Sequence, residues 1–159
     1  MGLRNLGGQE KYCGKENEDL GVKSYRDLDV YKMSFKCAVK CHELSLSLPK
    51  YELYEEGSQL RRSSKAITAN IVEGYGRKKY KAEFVKFLIY AHSSCDETIC
   101  HLEFILTTNS AVKNLYEDLV EKYNELGAKI NKFITFVEDE WQNDSACEPS
   151  RTRRATRNS

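Results

Sequence analysis

The chain has 159 residues, 25 Lys+Arg against 24 Asp+Glu, with 40% apolar and 31% charged residues. That length suits one domain with a packed core, and two prolines with nine glycines are too few for a sandwich or barrel built on many tight turns. No uninterrupted apolar run is longer than the five residues Phe87–Ala91, so no segment can span a bilayer.

Residues 1–23 are polar and Gly-rich, with no repeating apolar pattern, and read as a flexible leader. Their start, MGLRNLGGQEKY, lacks an apolar stretch of signal-peptide length. The chain therefore reads as cytoplasmic, with its six cysteines mostly free thiols.

A bundle domain is expected over residues 24–142. Its first helical segment runs from about Asp29 to Leu48, with capping-type residues at Ser24 to Asp27 and Pro49 as the stop. Leu28, Tyr31, Phe35, Ala38, His42 and Leu46 make one apolar stripe. Val30, Met33, Cys37, Leu44 and Leu48 make a second beside it. A helix in a lone bundle needs one stripe. Two stripes imply cover on two sides, and so self-association.

The second segment runs from about Leu53 to Glu73, with Leu60, Ile67 and Ile71 facing inward. Small residues (Gly57, Ser63, Ser64, Ala66 and Ala69) permit close helix approach, and Gly74-Tyr75-Gly76 reads as a capped turn. The third segment, about Tyr80 to Thr108, aligns Phe84, Phe87, Leu88, Ala91, Cys95, Ile99, Leu102 and Leu106. The fourth, about Val112 to Trp141, aligns Tyr116, Leu119, Val120, Tyr123, Leu126, Ile130, Ile134, Val137 and Trp141. Four amphipathic segments with short connections predict an all-α, antiparallel up-and-down four-helix bundle. Residues 143–159 hold almost no large apolar side chain and read as a disordered basic tail, with Arg151, Arg153, Arg154 and Arg157.

Charge is unevenly spread. Residues 61–86 hold eight basic side chains against Glu73 and Glu83, a local net of +6. Glu117, Asp118, Glu121 and Glu125 cluster on the fourth segment. One face could thus be basic and another acidic.

Enzyme signatures are missing. None of His42, His92 and His101 has a Glu three residues before it, which disfavours a carboxylate-bridged di-iron bundle. His92, Cys95 and Asp96 could meet Cys37 and Cys41 around zinc, but no paired CxxC supports this, and thiols as small core residues are the simpler reading. No GK[ST] phosphate loop and no nucleophile–base spacing is found. The expectation is a protein that is not an enzyme and carries no cofactor.

The densest stretch is QLRRSSKAITANIVEGYGRKK, Gln59 to Lys79. On a helix, Gln59, Arg62, Asn70 and Glu73 flank the Leu60–Ile67–Ile71 stripe. One reading makes them a hydrogen-bonded clamp for helix register or subunit contacts, ending at Gly74. The other points Arg61, Arg62 and Lys65 at a ligand. Arg77, Lys78, Lys79 and Lys81 sit at a helix start, where they oppose the macrodipole. Stability does not explain them, which favours phosphate contact.

The segment QLRRSSKAITANIVEGYGR resembles the signature of the four-helix-bundle family encoded in 23S ribosomal RNA intervening sequences. Tyr25-Arg-Asp-Leu28 with Tyr31, Leu48-Pro49 with Glu52 and Tyr54, and Glu83-Phe84 with Phe87-Leu88, Ala91, Ser94 and Glu97 fit the same resemblance, which covers about residues 25–142. Ser63 and Ser64 stand where the family usually has alanines, and Ala66 where it has serine. The resemblance implies a small non-enzymatic bundle that closes into a ring, typically a homopentamer. Among its relatives are accessory proteins of diversity-generating retroelements, which bind nucleic acid and a reverse transcriptase.

The combined expectation is a homo-oligomeric adaptor. It would contact RNA or DNA phosphates through Arg61, Arg62, Lys65, Arg77, Lys78, Lys79 and Lys81, with little sequence specificity. The alternative is a protein–protein scaffold or reverse-transcriptase accessory.

Overall fold

In the computed structural model, residues 22–108 and 113–141 are described. The leader over 1–21, the third interhelix connection and the tail from 142 lie outside the described residues. A 3-10 turn, Tyr25–Asp27, leads into α1 (Asp29–Ser45), α2 (Lys50–Tyr54), α3 (Glu56–Gly76), α4 (Lys81–Thr108) and α5 (Lys113–Asp139). The described residues contain no strand.

The four long helices form the expected bundle, in the order α1, α3, α4, α5 and back to α1. Every neighbouring pair runs antiparallel. Ser34 meets Thr68 while Ser45 meets Arg61 across α1 and α3. Thr98 meets Ser63 and His101 meets Glu56 across α3 and α4. Phe84 meets Phe133 and Cys95 meets Tyr123 across α4 and α5. Tyr116 meets Leu44, and Cys41 meets Tyr123, across α1 and α5.

Helix boundaries depart from the sequence reading in three places. Ser24 and Asp27 form a capping box, but around the 3-10 turn rather than at the start of α1. Here the Ser24 Oγ accepts from the Arg26 N–H and the Asp27 carboxylate accepts from the Ser24 N–H. The first helix stops at Ser45, three residues early. Its carbonyls at Glu43, Leu44 and Ser45 are taken up in tight turns by the next three N–H groups. Pro49 therefore starts a helix instead of ending one, because its fixed φ suits the position before α2.

The third departure concerns Gly74. The helix does not stop there: α3 runs on to Gly76, with its C-terminal carbonyls met by Arg77 and Lys78 N–H groups. Gly74 is buried against α4. A Cβ there would lie 3.1 Å from Phe84 Cδ2 and 3.3 Å from the Phe84 carbonyl. Its small size serves close packing rather than chain reversal.

The core follows a three-four spacing along α4: Phe84, Leu88, Ala91, Cys95, Thr98, Leu102 and Ile105. Phe87, Ile99 and Leu106, expected inside, are only half-buried. Over so long a helix the apolar stripe drifts around the axis, and Thr98 takes an inward position. Its hydroxyl is satisfied by Ser63 Oγ at 3.0 Å and the Ser94 carbonyl at 2.7 Å. On α5 the expected stripe is almost wholly buried, with only Val120 and Ile134 partly outside.

One end of the bundle is closed by aromatic rings. Tyr25 meets Tyr75, Tyr75 meets Phe84, and Phe84 meets both Phe133 and Trp141 edge-on. The chain enters the bundle here, turns here between α3 and α4, and leaves here after α5.

Candidate nucleic-acid interface

Helix α3 carries the expected cations, and the structure sorts them into different roles. Arg61 turns inward. Its guanidinium donates to Ser45 Oγ at 3.0 Å and to the Leu53 carbonyl at 3.1 Å. It thereby ties the end of α1 and the end of α2 to α3. Helix ends leave carbonyls without intrahelical partners, and Arg61 meets one of them. The expectation that Arg61 contacts phosphate is corrected: its donors are already engaged, and the side chain is half-buried.

Arg62 and Lys65 point outward from the middle of α3 and are exposed. Neither makes a hydrogen bond or ion pair among the described residues. Arg77 is exposed but engaged. It forks onto Glu73 Oε1 through Nε at 2.9 Å and Nη2 at 2.6 Å, stands 3.9 Å from Glu83, and lies over the Phe87 ring. Lys78 donates to the Tyr75 hydroxyl at 3.0 Å and sits over the same ring. Lys81 donates to the Glu138 carbonyl at 3.0 Å. Lys79 is exposed at the tip of the turn, with no partner among the described residues. Arg62, Lys65 and Lys79 therefore remain open to an external anion.

The polar set Gln59, Arg62, Asn70 and Glu73 does lie along one flank of α3, facing α4. It forms no clamp within the chain: Glu73 pairs with Arg77, and the other three do not bond one another. Spacing placed them on one face, but α4 offers that face aromatic and small side chains rather than complementary polar groups. The nearest polar link between these two helices is His101 Nδ1 to Glu56 Oε2 at 2.8 Å.

The acidic run on α5 is largely neutralised. Asp118 is held below the usual carboxylate range by its hydrogen bond from Lys122, and Lys40 lies 3.6 Å away. Glu125 meets Lys129 at 2.9 Å, which raises the lysine above its ordinary value.

Sequence reasoning missed a groove between α1 and α3. Tyr25, Tyr31, Phe35, Ala38, Val39 and His42 line one side and Lys65, Thr68, Ala69 and Val72 the other, around about 690 Å³. Phe35 is 53% exposed, Val39 43% and, just beyond, Leu46 59%. The signal was present: these residues belong to the extra apolar stripe on α1. What could not be read was that α3 supplies the opposite wall.

The thiols are core residues. Cys37, Cys41 and Cys95 are buried and Cys100 is exposed. Burial pushes Cys41 and Cys95 up to about 12, far from metal-binding thiolates. Among the described residues no cluster of His, Cys, Asp and Glu could hold a metal ion. Nor is any described helix long and apolar enough to cross a membrane.

Known proteins place this architecture. A crystal structure of a protein of unknown function from the S23 ribosomal protein family of Bacteroides thetaiotaomicron shares the fold, with a TM-score of 0.61 and 24% identity. The similarity covers 67% of this chain and 95% of that one. No curated protein matches. The family model described as 23S rRNA-intervening sequence protein matches residues 26–132, from the 3-10 turn to the last third of α5. That span takes in all four long helices, the α3 cation ridge and both walls of the groove, and the chain belongs to the 23S rRNA-intervening sequence protein family.

Proposed function

We propose that this protein is a non-enzymatic, homo-oligomeric adaptor that holds nucleic acid by its phosphates. The supporting observation is the set of exposed cations without intramolecular partners, Arg62, Lys65 and Lys79, on a surface where Arg77, Lys122 and Lys129 are paired. Unpaired guanidinium and ammonium groups bind phosphate with little loss of existing contacts. No element is shaped to read base edges, so binding is sequence-tolerant and steeply salt-dependent.

Assembly is the second half of the reading. The α1–α3 groove exposes contiguous aromatic and aliphatic surface, of the kind that marks a protein contact. Copies joined through it, in the ring of five that the family resemblance implies, would repeat the α3 cations around a belt. The same groove also favours a second reading, a docking site for a protein partner such as a reverse transcriptase.

Charge reversal separates the two. The triple variant Arg62→Glu, Lys65→Glu, Lys79→Glu should lose tenfold or more, roughly, in affinity for an RNA hairpin and a DNA duplex at low salt. Unchanged affinity would reject the nucleic-acid reading. A partner captured equally well by parent and variant would favour the scaffold.

A further inference from the structure

We infer that the arginine-rich segment Arg151–Arg157 is the larger part of the phosphate-binding surface, delivered beside Lys79 by the way α5 ends. This rests on the nucleic-acid reading above and names where most of its charge comes from.

The end of α5 is fixed. Trp141 is 4% exposed and packs edge-on against Phe84 and Phe136. The Glu138 carbonyl accepts from Lys81 Nζ at 3.0 Å, which seats the last turn of α5 against the first residue of α4. Lys79 stands two positions before that residue, at the tip of the same turn. The chain beyond Trp141 therefore departs from the end of the bundle that carries the Arg77–Lys81 turn. Arg151 follows Trp141 by roughly ten residues, so even at full extension it stays within about 35 Å of that anchor.

Charge at this end shows why the segment matters. Arg77 is neutralised by Glu73 and Glu83, while Lys78 and Lys81 already donate to protein oxygens. Asp27, Glu138, Asp139 and Glu140 are exposed at the same end and offset what remains. The folded surface here holds too little unpaired positive charge to grip a polyanion alone. The sequence from Pro149 to Ser159 has four arginines and no acidic residue. Tethered next to Lys79, these guanidiniums act on the same stretch of backbone at high effective concentration. Counterion release then counts both sets of contacts together.

The test uses the full-length chain with Arg151, Arg153, Arg154 and Arg157 changed to Gln. Binding to a fluorescent RNA hairpin, and to a DNA duplex, is measured from low to moderate salt. The plot of log affinity against log salt should become shallower by roughly 3 in slope on the duplex, with an affinity loss of about tenfold or more. Circular dichroism should match the parent, since no changed residue lies in a helix. If the parent binds and the variant keeps its slope, the tail inference is wrong while the adaptor reading stands. The same outcome is expected if the arginines instead pair with Glu138–Glu140 of their own chain. If the parent binds neither probe, both fall. A slope change on one probe alone supports the inference and identifies the nucleic acid.

Discussion

A Cβ built on Gly74 would stand 3.0 Å from the Cβ of Phe87, across the closest approach of α3 and α4. A Cβ is fixed to its backbone and cannot rotate away, so relief requires the two helices to part. Gly74→Ala gains about 1 kcal/mol of helix propensity. It loses about 1–3 kcal/mol by overpacking. The net should be destabilising by about 1 kcal/mol, read as a lower urea midpoint. Gly76→Ala meets nothing within 4 Å and should move the midpoint the other way. Equal effects at both glycines would contradict this account.

Arg61 and Arg62 are adjacent in sequence and opposite in role. Arg61→Met removes charged hydrogen bonds to Ser45 and Leu53 and should cost about 1.5–3 kcal/mol of stability. Arg61→Lys should recover only part of it, because an ammonium cannot span both acceptors as the planar fork does. Neither change should alter nucleic-acid affinity at a temperature where the fold is intact. Arg62→Met should show the reverse pattern. The pair is checked by urea titration and RNA-hairpin binding on the same four proteins.

The buried serine and threonine of the α3–α4 contact can be tested by their asymmetry. Thr98→Val leaves the Ser63 hydroxyl with only a 3.4 Å contact to the Leu60 carbonyl, and should cost about 1–2 kcal/mol. Removing both, with Ser63→Ala and Thr98→Val, should cost less than the sum of the single changes. A double-mutant cycle that is purely additive would show the hydroxyls do not interact.

Burial of the thiols sets an alkaline limit on stability. Cys41 and Cys95 titrate near 9.0 when unfolded and are raised to about 12 in the bundle by desolvation. Between those values the folded chain keeps the protons and the unfolded chain has lost them. Stability is therefore full below about pH 9 and falls as pH rises, by about 1.4 kcal/mol per unit for each thiol. Tyr116, raised to about 12 from 10.0, adds to the slope above pH 10. Urea midpoints measured from pH 8 to pH 10.5 should fall accordingly. Changing both thiols to Ala should flatten the curve even though it lowers the starting stability.

The bundle was legible because helical period is a local property. The α5 stripe from Tyr116 to Val137 was read almost without error, since each apolar side chain reports its own face. Errors arose where a residue's role depends on another helix. Gly74 looks like a stop until Phe87 is seen beside it. Arg61 looks like a ligand contact until the ends of α1 and α2 are brought to it. The unpaired cations Arg62 and Lys65 could be placed on an outer face from spacing, but whether they had partners could not. The seven basic residues formed one run in sequence and separate into engaged and open groups only in three dimensions.

The α1–α3 groove gives the most direct test of assembly. Phe35 and Val39 are half-exposed and contribute little to the core, so charged replacements should leave the monomer fold intact. On a surface that joins copies, the same changes bury charges against apolar side chains with nothing to pair them. Phe35→Glu with Val39→Lys should thus convert an oligomer to single chains at micromolar concentration, as measured by light scattering, with unchanged helical dichroism. The single chain should bind the RNA hairpin more weakly, because the Arg62 and Lys65 charges no longer act as a repeated belt. A parent that already scatters as one chain would remove the assembly half of the proposal and leave the groove to a partner of a different kind.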